Sequence, residues 1–459
     1  MARFERLQVL DELFLHLEGP NTHMHVGGVA IFEGPPPDYE EVLDMVRRRL
    51  GMVPHFRRKL AFVPFGLGRP VWVDDSHFNL EYHVRQTALP QPGDAQRLKR
   101  LTARIMSQQL DRSKPLWELW IAEGLQGDRF ALISKTHHCL IDGVSGADIM
   151  SVMLDMGPEP QDFQSEPWRP SPEPSADQLL VDALKERLTS PAEIARSMQS
   201  ALMDPGKIPG RLTETAKALG AFVGGGFAAP PSSLNQPIGP HRRFETILTD
   251  LADFKRVKDS LGGTVNDVVL AVCSGGLRHL LRARGENVDE LELRAMVPVS
   301  VRAEAERGAL GNRVASLWAA LPVYEDDPVE RLQIVREEMK DLKDSGQAVG
   351  AQLLTTLGEY APPTILAQAS RLVARQRAFN LVITNVPGPQ FSLYALGRKM
   401  REVYPVLPLS DNTTLGIALF SYDGSVGFGL LSDYDTAPDL PVLAEGIEKA
   451  IAELLQAAG

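Results

Sequence analysis

Phe130-Ala-Leu-Ile-Ser-Lys-Thr136 runs directly into His137-His138-Cys139-Leu140-Ile141-Asp142-Gly143, and the reading of the chain turns on this junction. The first seven residues are a short, mostly apolar run of the kind that forms a buried strand. Val144 to Met156 behind it has helical spacing. Ser145 with Asp148 three residues on resembles a capping box, which sets the helix start just after Asp142-Gly143. Two imidazoles are therefore delivered where the backbone changes direction, a common way to expose a catalytic side chain. Successive strand residues point to opposite faces, so His137 and His138 cannot both face one substrate. One can act as a base while the other braces the turn, and parity does not say which.

The pair has four readings. The plainest is two satisfied histidines at a strand end. A metal site is disfavoured because the two are adjacent rather than four apart on a helix, and the sequence offers no third ligand cluster. A thiol nucleophile at Cys139 is disfavoured because neighbouring strand positions diverge. General-base catalysis needs one neutral imidazole, with a proton to take from an attacking alcohol.

Outward from the junction, two stretches look like seams. Gly157 to about Ala176 is rich in Pro, Glu, Asp and Ser, and Gly220 to Pro240 carries Gly224-Gly225-Gly226 and Pro230-Pro231. Between them, Asp177 to Lys217 has helix formers broken at Pro191, Pro205 and Pro209. The expected organisation is an N-terminal lobe (1–158), a Pro/Gly-rich and helical connector (159–240) and a C-terminal lobe (241–459). In the last, Asp250 to Leu261 and Val265 to Arg284 read as helices broken at Gly262-Gly263. Arg294 to Val301, Ala315 to Val323, Phe379 to Thr384, Thr413 to Tyr422 and Ser425 to Leu431 read as strands. The fold class is mixed α/β (α+β), in two lobes with strands enough for a sheet in each.

Composition narrows the partners. The chain has 459 residues, 44% hydrophobic and 23% charged, as in globular proteins. A net charge of −11 disfavours nucleic acid and offers no general attraction to anionic membranes. Two cysteines, Cys139 and Cys273, cannot make a disulfide framework and suit a reducing cytoplasm. The opening residues lack the apolar core of a signal peptide, and no run of 18 apolar residues predicts a membrane span. If the substrates are lipids, the protein must meet them from the aqueous side.

His-His-x-x-x-Asp-Gly resembles the signature of the acyl-CoA-dependent acyltransferase superfamily. Further stretches resemble the bacterial wax ester synthase/diacylglycerol acyltransferase family: Asp11-Glu-Leu-Phe-Leu-His-Leu-Glu18, Met24-His-Val-Gly-Gly28, Pro64-Phe-Gly-Leu-Gly-Arg-Pro-Val-Trp72 and Leu110-Asp-Arg-Ser-Lys-Pro-Leu-Trp117. So do Val265-Asn-Asp-Val-Val269, Val297-Pro-Val-Ser-Val-Arg302, Gly311-Asn-Arg313 and Asn385-Val-Pro-Gly-Pro389, all in order along the chain. His23, the Gly19-Pro20 pair and Cys139 are modest departures that bear on acceptor preference.

The resemblance implies two chloramphenicol acetyltransferase-like lobes with a channel between them. It implies transfer of a long-chain acyl group from acyl-CoA to diacylglycerol or a long-chain alcohol, with acyl-CoA as substrate and no cofactor or metal. It makes His138 the base and Asp142, beside Gly143, a shape-holding residue paired with Arg302. The bland readings are a turn-forming Asp-Gly and a solvated arginine. Asn266 is read either as a helix N-cap or as a polar group at the reacting carbonyl, and Asp267 as structural. Pro115-Leu-Trp117 is expected to pack the first lobe. Arg47-Arg48-Arg49, Arg57-Arg58-Lys59, Arg242-Arg243 and Arg398-Lys399 are candidates for the CoA phosphates, with no choice among them. Other readings are a donor carried on a carrier protein, a lipid-binding protein without turnover, and a metallohydrolase. Oligomeric state and chain-length preference are not legible.

Overall fold

The structure, a computed structural model, describes residues 4–140, 153–161, 163, 167–185, 229–300, 314–344 and 378–459. In the first half these form α1 (Val9–Leu17), β1 (His25–Glu33), α2 (Tyr39–Arg49), β2 (Arg58–Ala61), β3 (Val71–Asp74), β4 (Val84–Ala88), α3 (Ala95–Met106), β5 (Trp117–Leu125) and β6 (Arg129–His137), which runs into a 3-10 turn, His138–Leu140. In the second half they form β7 (Arg242–Asp250), α4 (Leu251–Leu261), α5 (Val265–Ala283), β8 (Glu292–Ser300), β9 (Val314–Pro322) and α6 (Pro328–Asp344). There follow β10 (Leu381–Pro387), β11 (Tyr394–Ala395), β12 (Arg398–Val406), β13 (Leu415–Tyr422), β14 (Ser425–Asp433) and α7 (Leu440–Ala458). The strand expected from the run before the histidines is β6, and its last residue is His137. The helix expected from Val144, along with Asp142 and Gly143, lies outside the described residues apart from its end near Met153.

Among the described residues two six-stranded sheets carry the fold, ordered β11-β12-β1-β6-β5-β4 and β7-β14-β13-β10-β8-β9. In the second, β10 runs parallel to both β8 and β13, and α4, α5, α6 and α7 share one apolar cluster with its strands. The turn between α4 and α5 is made by Gly262 (φ 86°) and Gly263 (φ 91°), left-handed positions that a side chain would strain. Together these two helices have the length and composition of a bent membrane span, but they are packed into the lobe's core. Among the described residues no single helix is long and apolar enough to cross a membrane.

The first sheet is apolar on both faces. Ala30 and Phe32 of β1 pack with Val42, Val46 and Trp117 on one side. Val29 and Ile31 pack with Leu98, Ile105, Phe244 and Leu431 on the other, a cluster that spans both halves of the chain. Pro115-Leu-Trp117 fulfils its packing role: Trp117 is buried, donates its indole N–H to the Phe56 carbonyl (2.8 Å) and stacks on His83.

One strand does not stay with its own half. Arg398–Val406 pairs antiparallel with His25–Glu33, so residues from beyond 390 complete the first sheet. It presses against β14 where side chains are absent: a Cβ on Gly427 would lie 2.0 Å from the Val403 carbonyl oxygen, and one on Gly429 would lie 1.7 Å from that of Pro405. These glycines let the two sheets touch through backbone.

Within the expected connector, residues 176–185 are helical, and Leu179 and Ala183 bury against Val63, Val71 and Val73 of the first half. The chain from 186 to 228 lies outside the described residues.

Candidate active site

Backbone hydrogen bonds anchor both histidines of the pair. His137 donates its backbone N–H to the Leu116 carbonyl (2.9 Å), and His138 donates to the Met24 carbonyl (2.8 Å). His137 ends β6 opposite His25 of β1, whereas His138 has left the strand for the 3-10 turn. That exit decides what parity could not: His137 points into the protein, fully buried, and His138 stays partly exposed.

Of the two ring nitrogens of His137, Nδ1 is hydrogen-bonded and Nε2 has no hydrogen-bond partner among the described residues. Nδ1 accepts the Cys139 backbone N–H at 3.1 Å, which puts the proton of the neutral ring on Nε2. Nε2 faces the Glu18 carboxylate, 3.7 Å from Oε2. Glu18 is buried at the end of α1 and is held by Arg112, whose Nε donates to Oε2 at 2.7 Å and whose Nη2 donates to the Leu15 carbonyl at 2.9 Å. One turn back on the same helix, the Phe14 ring stacks on His138 with centroids 3.8 Å apart. His25 approaches the other Glu18 oxygen at 3.7 Å, and its Nε2 accepts the Leu110 N–H at 3.4 Å.

Burial sets the protonation states. It lowers His137 to about 3, with the Arg112 charge and His138 adding to the effect. It lowers His138 to about 4 against a hydrogen bond to its own backbone. Both imidazoles are neutral at neutral pH, the form in which a histidine can accept a proton. Burial also raises the Cys139 thiol well above its ordinary range, helped by Asp11 and Glu18, so the thiolate that a nucleophile needs is suppressed.

Asn266 lies in the first turn of α5 but does not cap it. Thr264 is the N-cap, and its hydroxyl and the Asp267 carboxylate exchange hydrogen bonds with each other's backbone N–H in a capping box. Asp267 is structural, as expected, and the N-cap reading of Asn266 is corrected, because the hydroxyl two residues earlier already satisfies that end. The Asn266 side chain instead accepts from Asn385 Nδ2 (3.4 Å), joining Val265–Val269 to Asn385–Pro389. Arg302 lies outside the described residues.

Members of each basic run are already engaged, two of them in the interior. Arg49 makes a buried pair with Asp155 (2.6 Å), and Arg242 is buried against the carbonyls of Gly239 and His241. Arg58 pairs with Glu5 and Asp74, Lys59 with Glu173, and Lys399 with Asp423. His23 is buried, and its Nε2 lies 3.0 Å from the Pro20 carbonyl oxygen. Glu18, Arg112, Phe14 and His25 escaped the reading of single motifs. All four sit inside the quoted stretches Asp11–Glu18, Met24–Gly28 and Leu110–Trp117, and the only signal was that those stretches recur together.

Comparison with known proteins bears on this geometry. Residues 7–269 match the family model of the wax ester synthase/diacylglycerol acyltransferase catalytic domain, and residues 310–455 match the model of the corresponding C-terminal domain. The chain is 34% identical over 458 residues to a probable diacylglycerol O-acyltransferase, tgs1, of Mycobacterium tuberculosis H37Rv, covering 98% of this chain and 95% of that protein. It is 35% identical over 468 residues to tgs2 of the same strain, covering 98% of each. The wax ester synthase/diacylglycerol acyltransferase from Marinobacter aquaeolei VT8 superposes with a TM-score of 0.71 at 30% identity, over 99% of this chain and 100% of that one. The first condensation domain of the CDA synthetase shares the fold at 15% identity, with a TM-score of 0.58 over 100% of this chain and 97% of that one.

Proposed function

The chain belongs to the wax ester synthase/diacylglycerol acyltransferase family and is an acyltransferase, and from that premise we propose that it moves a long-chain acyl group from acyl-CoA to diacylglycerol, a long-chain alcohol, or both. The products are triacylglycerol or wax ester and free CoA, and no cofactor takes part. His138 is the general base. The observation that carries this choice is that the His137 ring is fully buried, with Nδ1 taken by the Cys139 N–H and Nε2 lying 3.7 Å from the buried Glu18 carboxylate, while His138 is neutral and partly accessible.

In this reading His138 takes the hydroxyl proton of the acceptor as the oxygen attacks the thioester carbonyl. The tetrahedral intermediate collapses with cleavage of the C–S bond, and the imidazolium returns the proton to the departing CoA thiolate. A base of this kind supplies roughly 10²–10⁴-fold, and alignment of donor and acceptor supplies much of the rest. Asn266, tied to Asn385, helps to bind the reacting carbonyl. Asp142 with Gly143 holds the turn beyond His138, with Arg302 as the partner of Asp142. The substrates meet in a channel between the lobes, where exclusion of water keeps the thioester from hydrolysis. The enzyme works in the cytoplasm and docks reversibly on the inner membrane or lipid droplets; Phe62 and Phe65, 50% and 87% exposed, are apolar side chains available to such a surface.

Two comparisons test the reading. His138→Ala should abolish transfer in a protein whose circular dichroism is unchanged; transfer near the wild-type rate would remove His138 from the mechanism. Palmitoyl-CoA should outperform palmitoyl-carrier protein as donor, and the reverse order would replace the CoA donor with a carrier-bound one.

A further inference from the structure

Glu18 occupies a place that stability alone would not choose. Its side chain is 1% exposed. It stands at the C-terminal end of α1, where its own N–H closes the helix on the Phe14 carbonyl and where the helix dipole disfavours negative charge. Buried glutamates are rare unless paired. Arg112 supplies the pair, yet Oε1 still has no hydrogen-bond partner among the described residues. What the arrangement achieves is a fixed negative charge beside Nε2 of His137.

We propose that Glu18, anchored by Arg112, is a positioning residue for the base His138, acting through the His137 ring and the Cys139 N–H. A neutral imidazole carries its proton on one nitrogen, and the partner of each nitrogen selects which. The carboxylate lies 3.7 Å from Nε2, which has no hydrogen-bond partner among the described residues, so it favours the Nε2–H form through its charge, and only that form leaves Nδ1 free to accept the Cys139 backbone N–H. That bond ties the side chain ending β6 to the first peptide inside the 3-10 turn His138–Leu140. In the other tautomer, two N–H groups would confront each other and the turn that aims His138 would be released.

Phe14 acts from the same helix face. Phe14 and Glu18 are four residues apart, hence neighbours on α1, and while Glu18 faces His137, Phe14 stacks on the His138 ring. The last turn of α1 thus holds both histidines, and Arg112, 94 residues further along, ties that turn to the segment leading into β5. This assigns a physical task to two of the sequence stretches shared with the family: they set the tautomer and aim of the base.

The inference rests on His138 as the base, so His138→Ala is measured alongside. Glu18→Gln keeps the shape and removes the charge. It should lower kcat by about 10–100-fold, the usual effect of losing a supporting partner, with KM for palmitoyl-CoA changed less than about two-fold. Glu18→Asp, which keeps the charge but draws it back by one methylene, should lose less. Should Glu18→Gln fail to fold, the Asp variant carries the test, and its kcat should still fall at unchanged KM. In ¹⁵N-histidine-labelled protein, the Nε2–H signature of His137 should be present in the wild type and mixed or inverted in Glu18→Gln. Wild-type kcat in Glu18→Gln, or a lowered kcat with the His137 tautomer unchanged, overturns the proposal while leaving the His138 reading intact. Wild-type transfer in His138→Ala removes the base itself and the proposal with it.

Discussion

Acidification tests His138, the proposed base, against an ordinary histidine. Burial holds His138 at about 4 rather than near 6.5. At pH 5 a group with that value is roughly nine-tenths neutral, whereas an unperturbed imidazole is only about 3% neutral, a difference of about thirty-fold in competent base. The expected profile of kcat/KM, measured with palmitoyl-CoA and an uncharged alcohol, is therefore flat from pH 8 to about 5, with half-maximum near pH 4.

Folding must be followed in parallel, because the same burial acts on stability. His137 is lowered to about 3 and His83 to about 4, and His25 and His23 are lowered too, while in the unfolded chain all titrate near 6.5. Below pH 6.5 the unfolded state binds more protons, so unfolding becomes easier as pH falls, and the contribution of these groups is fully present only above that value. Initial rates on briefly acidified protein, with recovery checked at pH 7, separate the two effects. Half-maximal kcat/KM near pH 6.5 in protein that is demonstrably folded would refute the shielding of His138 and the geometry that produces it.

Other expectations follow from particular contacts. Arg49→Ala leaves the Asp155 carboxylate, itself 1% exposed, without its countercharge, and should cost about 3–5 kcal/mol in urea unfolding at pH 7; a loss under about 1 kcal/mol would show that the pair is not needed. Gly429→Val drives a side chain into the Pro405 carbonyl and should cost about 1–3 kcal/mol or more by the same measurement, whereas an unchanged midpoint would mean that the two sheets do not meet there. Cys139 and Cys273 are buried with raised thiol values, so a chromogenic disulfide should titrate both only after unfolding, and Cys139→Ala should keep transfer activity. Rapid labelling of native protein together with loss of activity would revive the thiol nucleophile.

Much of the second half was legible because its elements carry their own local signals. The break at Gly262-Gly263 marks a turn that needs two left-handed residues, and Leu251–Leu261, Val265–Ala283 and Ser425–Asp433 emerge close to where periodicity put them. Arg398–Val406 was not legible as a strand. Its charged start and Pro405 mask the alternation, and no local pattern could say that it pairs with His25–Glu33, more than 360 positions earlier. The site was half legible. The histidine junction announced itself, and the strand end fell at His137, but which of the two is fully buried depended on His138 leaving the strand. Glu18 and Arg112 could not be paired from sequence, because an ion pair across 94 residues has no period. Only the recurrence of Asp11–Glu18 and Leu110–Trp117 in a family hinted that they share a task.

The most direct test of the central claim is CoA release from palmitoyl-CoA with hexadecanol, with dipalmitoylglycerol and with neither, in wild type and His138→Ala. The account requires release that depends on an acceptor and is lost in the variant, with the faster acceptor identifying the product. Release without any acceptor, or release that survives in His138→Ala, would contradict it.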